Sequence, residues 1–269
     1  MPWSSGVLAG YLASLLQRSG FALGPLILLL CQLAIAQPSA DQLAQAWALH
    51  QPALQSEGIR PVTLGTEDFV LLARGEVVRR RLPATGADRA MGAIWAPMSR
   101  DAVWVAILDD SDFTLVDTMT EIRLPDTAAG HKRLYQHIDL PWPVADRHWV
   151  LQIRNNMPLA ASTQDAVWER VWDLTQRSDV PEGRPTAIWS PINDGGWILV
   201  SARGGTLLVY HARTRIGGNI PEEAVIRWAM VTLESMLRKT VERAEGIHTH
   251  YKSAHIPIYR PDGSAVPAW

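Results

Sequence analysis

The strongest candidate for a binding role in this sequence is an arginine on an apolar strand face. Arg147 begins a strand predicted over residues 147–154, whose alternate positions on one face are apolar and include Trp149. A charge on a buried face is costly unless it is paired. Arg147 could therefore hold a hydroxyl, carboxylate or phosphate of a bound molecule, or it could form a structural ion pair with Asp139 or Glu121.

Tyr135 and His137, on the preceding predicted strand, form a second candidate set because both side chains can hydrogen-bond to a ligand. They could equally be core polar groups that are satisfied within the protein. His137 with Asp139 could form an acid–base pair, so an enzyme of the cyclase or hydrolase type remains an alternative. The sequence has no nucleophile elbow, zinc-protease motif, phosphate loop or dinucleotide fingerprint, and we predict no catalytic residue.

Tryptophan is unusually frequent in this chain, with 12 Trp against 3 Phe. The indole offers a large apolar face and one N–H, which suits cavities as well as cores. Trp168 and Trp172 share one face of a predicted strand, where they could line a cavity or pack in the core. Helical spacing places Trp228, Thr232 and Met236 on the inner face of a long C-terminal helix, where the same two interpretations hold.

Composition narrows the classes of function. The chain has 269 residues, 47% of them hydrophobic, and a net charge of −2. These values argue against disorder and against a nucleic-acid partner, and the length allows one domain with room for a cavity. We expect no cofactor and no metal, because His248, His250 and His255 lie in a C-terminal segment without metal-ligand spacing.

The N-terminal segment predicts export. Residues 21–36 read FALGPLILLLCQLAIA, an apolar stretch of 16 residues that is shorter than the roughly 20 needed to span a membrane. The stretch follows Arg18 and ends in a small-x-small cleavage pattern. We predict a signal peptide over residues 1–36, cleaved after Ala36, and a periplasmic or secreted protein; an uncleaved anchor is the alternative. Cleavage would also remove Cys31, the only cysteine, which leaves no disulfide or thiolate chemistry.

The elements that position these residues follow from periodicity and turn signals. Helices are predicted over residues 39–50, 99–108 and 221–246. Pro52 is expected to end the first of them. Strands are predicted over residues 69–72, 77–82, 91–95, 114–124, 133–140, 147–154, 167–174, 186–191, 196–202 and 206–213. A meander of this kind with one helix across its concave face predicts an α+β fold with a cavity.

Two segments resemble motifs of START domains, the StAR-related lipid transfer family. Residues 140–150 read LPWPVADRHWV and resemble the strand entry P-x-x-D/P-R-D-x-V of that family. Residues 215–221 read RIGGNIP and resemble the turn D-P-G-G-x-I-P that opens the last helix of the family. The order of elements is also similar across residues 40–245.

The resemblance implies a helix-grip fold, in which a curved antiparallel β-sheet wraps around a long C-terminal α-helix and leaves an internal hydrophobic cavity. It implies one START-like domain over residues 37–246, followed by a tail over 247–269, and a loop over 176–185 that gates the cavity. The implied function is non-catalytic binding or transport of a lipid or other hydrophobic molecule by a monomer. The basic run over residues 79–81 is interpreted as a solvated strand end, and attraction to anionic membrane headgroups, with transient membrane contact, is the alternative. A partner-binding module with a collapsed cavity is a further alternative.

Overall fold

The computed structural model describes residues 37–60, 62–109, 119–125, 130–182 and 186–269. Its helices are α1 (Ala40–Ser56), α2 (Thr66–Ala73), α3 (Arg100–Leu108), α4 (Met157–Ser162), α5 (Glu222–Glu245) and α6 (Ile247–His250). Its strands are β1 (Val78–Leu82), β2 (Arg89–Ala96), β3 (Met119–Leu124), β4 (His131–Ile138), β5 (Arg147–Asn155), β6 (Val167–Leu174), β7 (Ile188–Trp189), β8 (Ile192–Ala202) and β9 (Gly205–Arg215). The predicted signal peptide and residues 114–118 of a predicted strand lie outside the described residues. Within the described ranges, no helix has the length and apolarity to cross a membrane.

The described strands form one sheet in the order β1-β2-β9-β8-β6-β5-β4-β3, and the short β7 pairs in parallel with β5. The other pairings are antiparallel. From β3 to β9, strands that are neighbours in the sheet follow one another along the chain, apart from β7. This arrangement confirms the predicted α+β meander, and the β1–β2 hairpin extends it beyond β9.

The central strands β2, β6, β8 and β9 send side chains into two separate cores. Leu199 and Leu208 belong to the core under α3 and α5, on the concave face of the sheet. Their sequence neighbours Ile198 and Val209 belong to the core under α1 and α2, on the opposite face. Because both faces of the central strands are covered, these strands are apolar at nearly every position rather than at every second one.

Helix α5 closes the concave face, as the amphipathic pattern of its sequence predicts. It begins after Pro221, with Glu222 and Glu223 in its first turn, where carboxylates interact favourably with the helix dipole. Gly92 of β2 allows a close approach, since a Cβ at this position would lie 2.8 Å from side-chain atoms of Leu233 and Leu237. The helix therefore packs directly on β2, and it also contacts β1 and β9.

Two predictions about the N-terminal elements were wrong. Helix α1 continues through Pro52 to Ser56, because Trp47 and Leu54 lie two helical turns apart and are both buried against the sheet. Residues 69–72, predicted as a strand, belong to α2. The carboxylate of Asp68 accepts a hydrogen bond from the Gly65 N–H at 2.8 Å, which caps that helix.

The predicted extended tail, residues 247–269, packs against the domain instead. Tyr251 is only 2% exposed, Ile258 and Val266 are also buried, and the indole N–H of Trp104 in α3 donates to the carbonyl of Tyr259 at 3.0 Å. Apolar residues spaced along an irregular segment carry no periodicity, so the sequence pattern did not indicate this packing. The compact unit accordingly runs from Gln37 to Trp269 rather than ending at residue 246.

Candidate functional site

A cavity of about 480 Å³ lies between α5 and the concave face of the sheet. Its volume falls within the range of about 300–1,000 Å³ that is typical of small-molecule sites. Most of the side chains that line it are apolar and come from the strands, from α3 and from the N-terminal half of α5. The cavity follows from the curvature of the sheet, because α5 packs on β1, β2 and β9 and leaves the region above β4, β5 and β6 open.

The structure brings together most of the residues predicted to bind a ligand. Six of the nine line the cavity: Arg147, Trp149, Trp172, Trp228, Thr232 and Met236. The strand residues among them occupy inward-facing alternate positions, and those of α5 share one helical face, as their spacing predicted. Their contact with a ligand remains a prediction.

Trp168 belongs to the core rather than to the cavity. Its ring meets that of Trp104 edge to face, with the centroids 5.3 Å apart, and the guanidinium carbon of Arg100 lies 4.0 Å from its centroid. Helix α3 carries both partners and covers this end of the sheet. The cavity-lining interpretation of Trp168 is therefore wrong. Trp172, four residues along the same strand face, does lie on the cavity wall.

Tyr135 and His137 point to the face of the sheet that lies away from the cavity. Gln136, between them, lines the cavity, so strand alternation turns both neighbours outward. The ring of Tyr135 instead lies edge-on to His148, with the centroids 6.0 Å apart. The expected cavity position of this pair is wrong because both faces of β4 are buried, and the pattern alone did not reveal which face meets α5.

Arg147 acts as a clamp on the turn that leads into α5. Its Nε donates to the carbonyl of Ile216 at 2.7 Å, and its Nη2 donates to that of Gly217 at 3.0 Å. Its Nη1 donates to the carbonyls of Ala145 and Asp146. Within the described residues no carboxylate forms an ion pair with Arg147, so the predicted pairing with Asp139 or Glu121 is wrong.

The same contacts explain part of the glycine motif. Gly218 has φ of +69°, and a Cβ there would lie 2.8 Å from Nη2 of Arg147. Arg147 is 2% exposed, and burial lowers the pKa of its guanidinium, an effect that Asp146 opposes. Its donors are directed mainly at backbone carbonyls, so the interpretation of Arg147 as a ligand anchor receives no support from this geometry.

An aromatic group that sequence reasoning missed forms one wall of the cavity. Tyr210 of β9 packs against Trp197 of β8 and Trp172 of β6, at centroid distances of 4.7 and 5.6 Å. The indole N–H of Trp172 donates to Oδ1 of Asn193 at 3.0 Å. Gly195 makes room for this indole, since a Cβ there would lie 2.3 Å from it. Aligning β8 and β9 across their tight turn would have placed Tyr210 beside Trp197.

The hydroxyl of Tyr210 is one of the polar groups on the cavity wall, together with the side chains of Lys132, Gln136, Arg170 and Asn193. Tyr210 lines the cavity, and its hydroxyl has no hydrogen-bond partner among the described residues. Burial raises the pKa of this phenol, so the hydroxyl keeps its proton and can donate. By contrast, the indole N–H of Trp149 already donates to Gln136 at 2.6 Å, and the amide of Gln136 donates to Glu121. Tyr210 is thus positioned to bind the polar end of an otherwise apolar molecule.

One end of the cavity is bordered by the β4–β5 loop, residues 139–146, which we call the mouth loop. Val144 of this loop and Trp228 of α5 line the cavity and are 37% and 47% exposed. Trp142, at the tip of the loop, is 92% exposed. Residues 176–182, the described part of the loop expected to gate the cavity, contribute no lining residue. Among the described residues, the exposed part of the cavity lining therefore belongs to the mouth loop and to α5 rather than to residues 176–182.

The basic run over residues 79–81 is neutralised by neighbouring carboxylates. Arg79 pairs with Glu234 at 3.5 Å, Arg80 pairs with Asp68 at 2.7 Å, and Arg81 pairs with Asp88 at 2.5 Å. Paired side chains of this kind offer little free positive charge to an anionic membrane. The run therefore contributes to the packing of α2 and α5 on β1.

Comparisons with solved structures reveal a common architecture. The STAR-related lipid transfer protein from Xanthomonas axonopodis is 19% identical, with a TM-score of 0.52 over 63% of this chain and 92% of that one. Human StAR-related lipid transfer protein 5 is 12% identical, with a TM-score of 0.54 over 78% of this chain and 98% of that one. Human STARD10 is 10% identical, with a TM-score of 0.53 over 75% and 87% of the two chains.

No protein-family model and no curated protein matches the sequence. At identities this low, the likeness to solved structures concerns the fold. The curved sheet and the closing helix α5 are the features that the fold comparison and the geometry share. This chain has the helix-grip fold of the StAR-related lipid transfer domains.

Proposed function

We propose that this protein binds a lipid or similar hydrophobic molecule in the cavity and carries it without chemical change. The observation that supports the proposal most strongly is an apolar cavity of about 480 Å³ whose wall holds the unpartnered hydroxyl of Tyr210. Apolar surface favours a hydrophobic cargo, and an inward donor such as the Tyr210 hydroxyl favours one with a polar end. The open volume also argues against a partner-binding module whose tryptophans fill the centre.

Native mass spectrometry tests the proposal directly. The protein is purified from its own host without detergent, its mass is measured, and bound molecules are then extracted into organic solvent. We expect a stoichiometric apolar adduct that is recovered chemically unchanged. A ligand-free mass that persists after incubation with host lipid extract would contradict the carrier function.

The enzymatic alternative relied on His137 with Asp139. Nδ1 of His137 and Oδ1 of Asp139 lie 3.8 Å apart, but on the face of the sheet opposite the cavity. A molecule held in the cavity is separated from this pair by the strand itself. Product formation in the extraction experiment, lost in a His137→Ala variant, would favour the enzyme over the carrier.

Replacing Tyr210 by phenylalanine tests the polar end of the proposed cargo site. Because the hydroxyl has no partner among the described residues, its removal is expected to change the free energy of unfolding by less than about 0.5 kcal/mol. Affinity for the extracted cargo is expected to fall by roughly three- to tenfold, the value of one hydrogen bond. Urea unfolding and titration with the recovered cargo measure the two quantities. Unchanged affinity would show that the hydroxyl is not used.

We further propose that cargo is exchanged at a membrane surface through the mouth loop. Trp142 is 92% exposed beside the cavity mouth, and indole rings favour the interface between lipid and water. Trp142→Ala is expected to weaken binding to lipid vesicles by at least about tenfold without loss of stability. Leu49→Ala is the matched control, because Leu49 is also exposed, at 73%, but lies on α1. Equal vesicle binding by both variants would contradict a membrane role for the loop.

Action outside the cytoplasm is part of the proposal and depends on the leader. The supporting observation is the small-x-small pattern that ends at Ala36. Intact-mass measurement of the protein from a cell-envelope fraction is expected to show a chain that begins at Gln37. A chain that retains residues 1–36 would instead indicate a tethered form.

A further inference from the structure

A histidine and two aspartates meet at the base of the mouth loop, on the face of the sheet away from the cavity. Nε2 of His137 lies 3.4 Å from Oδ2 of Asp146, and Nδ1 lies 3.8 Å from Oδ1 of Asp139. One ligand atom from each of the three residues lies within 4.8 Å of the others. The three residues come from the end of β4 and from both ends of the loop that follows it.

The histidines at this place are buried without the hydrogen bonds that buried imidazoles normally make. His137 is 7% exposed, and its Nε2 has no hydrogen-bond partner among the described residues. His148, directly opposite on β5, is also 7% exposed, and both of its ring nitrogens lack partners there. Buried polar atoms without partners are rare in folded proteins and call for an explanation such as a missing ion.

We propose that His137, Asp146 and Asp139 bind a divalent transition-metal ion of the Zn²⁺ type, with His148 as the neighbouring donor. Nitrogen and carboxylate oxygen are common ligands of such ions, with bonds of about 2.0–2.2 Å. A tetrahedral site with these bonds places its ligand atoms about 3.3–3.6 Å apart. The separation of 3.4 Å between Nε2 of His137 and Oδ2 of Asp146 matches this spacing.

The position of the site suggests what a metal would do. Asp139 and Asp146 stand at the two ends of the mouth loop, whose base is already closed by a hydrogen bond from the Leu140 N–H to Oδ1 of Asp146 at 2.9 Å. A metal bound to both carboxylates would cross-link those ends and restrain the loop that carries Val144 and Trp142. Slower cargo exchange in the metal-bound protein is then expected. This last consequence rests on the proposed function, whereas the metal site itself does not.

Calorimetry on the full chain tests the site. Protein stripped with EDTA and dialysed is titrated with ZnCl₂, and CoCl₂ is used in parallel for its visible spectrum. We expect one ion per chain and a Co²⁺ spectrum of a low-coordinate site with nitrogen and oxygen ligands. His137→Ala is expected to lower the affinity by at least about tenfold, whereas His131→Ala, an exposed histidine on the same strand, leaves it unchanged.

A second variant guards against misfolding of the first. The side chain of Asp139 is 70% exposed, so Asp139→Asn should fold normally and still weaken Zn²⁺ binding. Absence of saturable binding of either ion, or equal affinity in wild type, His137→Ala and Asp139→Asn, would overturn the proposal. Metal binding is measured without cargo. Failure of the metal site and failure of the proposed lipid-binding function can therefore be told apart.

Discussion

An Ala229→Trp variant is expected to lose cargo binding while it keeps its fold. Ala229 lies on the face of α5 that lines the cavity, and an indole at this position projects into a space of about 480 Å³. The added side chain occupies volume that is open in the structure, so the usual cost of overpacking a filled core is avoided. We expect affinity for the extracted cargo to fall by at least roughly 100-fold, which corresponds to about 2.7 kcal/mol of binding free energy.

Val231→Trp is the matched control for this experiment. Val231 lies two residues further along the same helix, is 68% exposed and does not line the cavity. It adds the same indole to the same helix, so a difference in cargo affinity reports on the cavity alone. If Ala229→Trp still carries a full load in native mass spectra, the cargo site lies elsewhere in the protein.

The second large effect is expected on stability, from Arg147→Ala. Removal of the guanidinium leaves the carbonyls of Ala145, Ile216 and Gly217 without their donors at a site where Arg147 is only 2% exposed. A carbonyl that loses its donor at such a partly buried position costs up to about 1–3 kcal/mol. Allowing for water that enters the space, we expect the free energy of unfolding to fall by about 3 kcal/mol. Urea denaturation of the cargo-free protein, monitored by tryptophan fluorescence, gives this value.

Arg154→Ala controls for the loss of an arginine from the same strand. Arg154 lies at the other end of β5, pairs with Asp173 at 2.8 Å, and its side chain is 34% exposed. Partly exposed ion pairs contribute little, so a loss below about 1 kcal/mol is expected. The comparison also separates two roles for Arg147. A stable Arg147→Ala protein that fails only to bind cargo would restore the ligand-anchor interpretation and refute the clamp.

The clamp links two segments that the sequence had singled out for separate reasons. Residues 140–150 and 215–221 were each compared with motifs of the START family, and the structure joins them through Arg147. The arginine of one motif donates to carbonyls of the other, and Gly218 leaves space for it. Spacing along the chain contains no information about this contact, because the two segments lie about 70 residues apart and meet only when β5 and β9 belong to one sheet.

Local sequence signals determined the elements of this protein and much of its architecture. Turn residues and apolar runs located most strands to within a few residues, and the acidic start and apolar face of α5 located the closing helix. These features depend on interactions over a few residues, which a sequence pattern records directly. The alternation along β5 correctly placed Arg147 and Trp149 on one inward face for the same reason.

The tertiary structure alone decided which face of each strand meets the cavity. Tyr135 and His137 lie on the face of β4 opposite the cavity, whereas Gln136 between them lines it. Successive residues of a strand point to opposite faces, so an assignment that is off by one residue exchanges the two faces. Both faces of β4 are buried, so hydrophobicity did not distinguish them. The β4–β5 hairpin brought His137, Asp139 and Asp146 together, and the β8–β9 hairpin placed Tyr210 beside Trp197. Which face of these hairpins lies under α5 is set by packing between distant segments, and no local pattern encodes it.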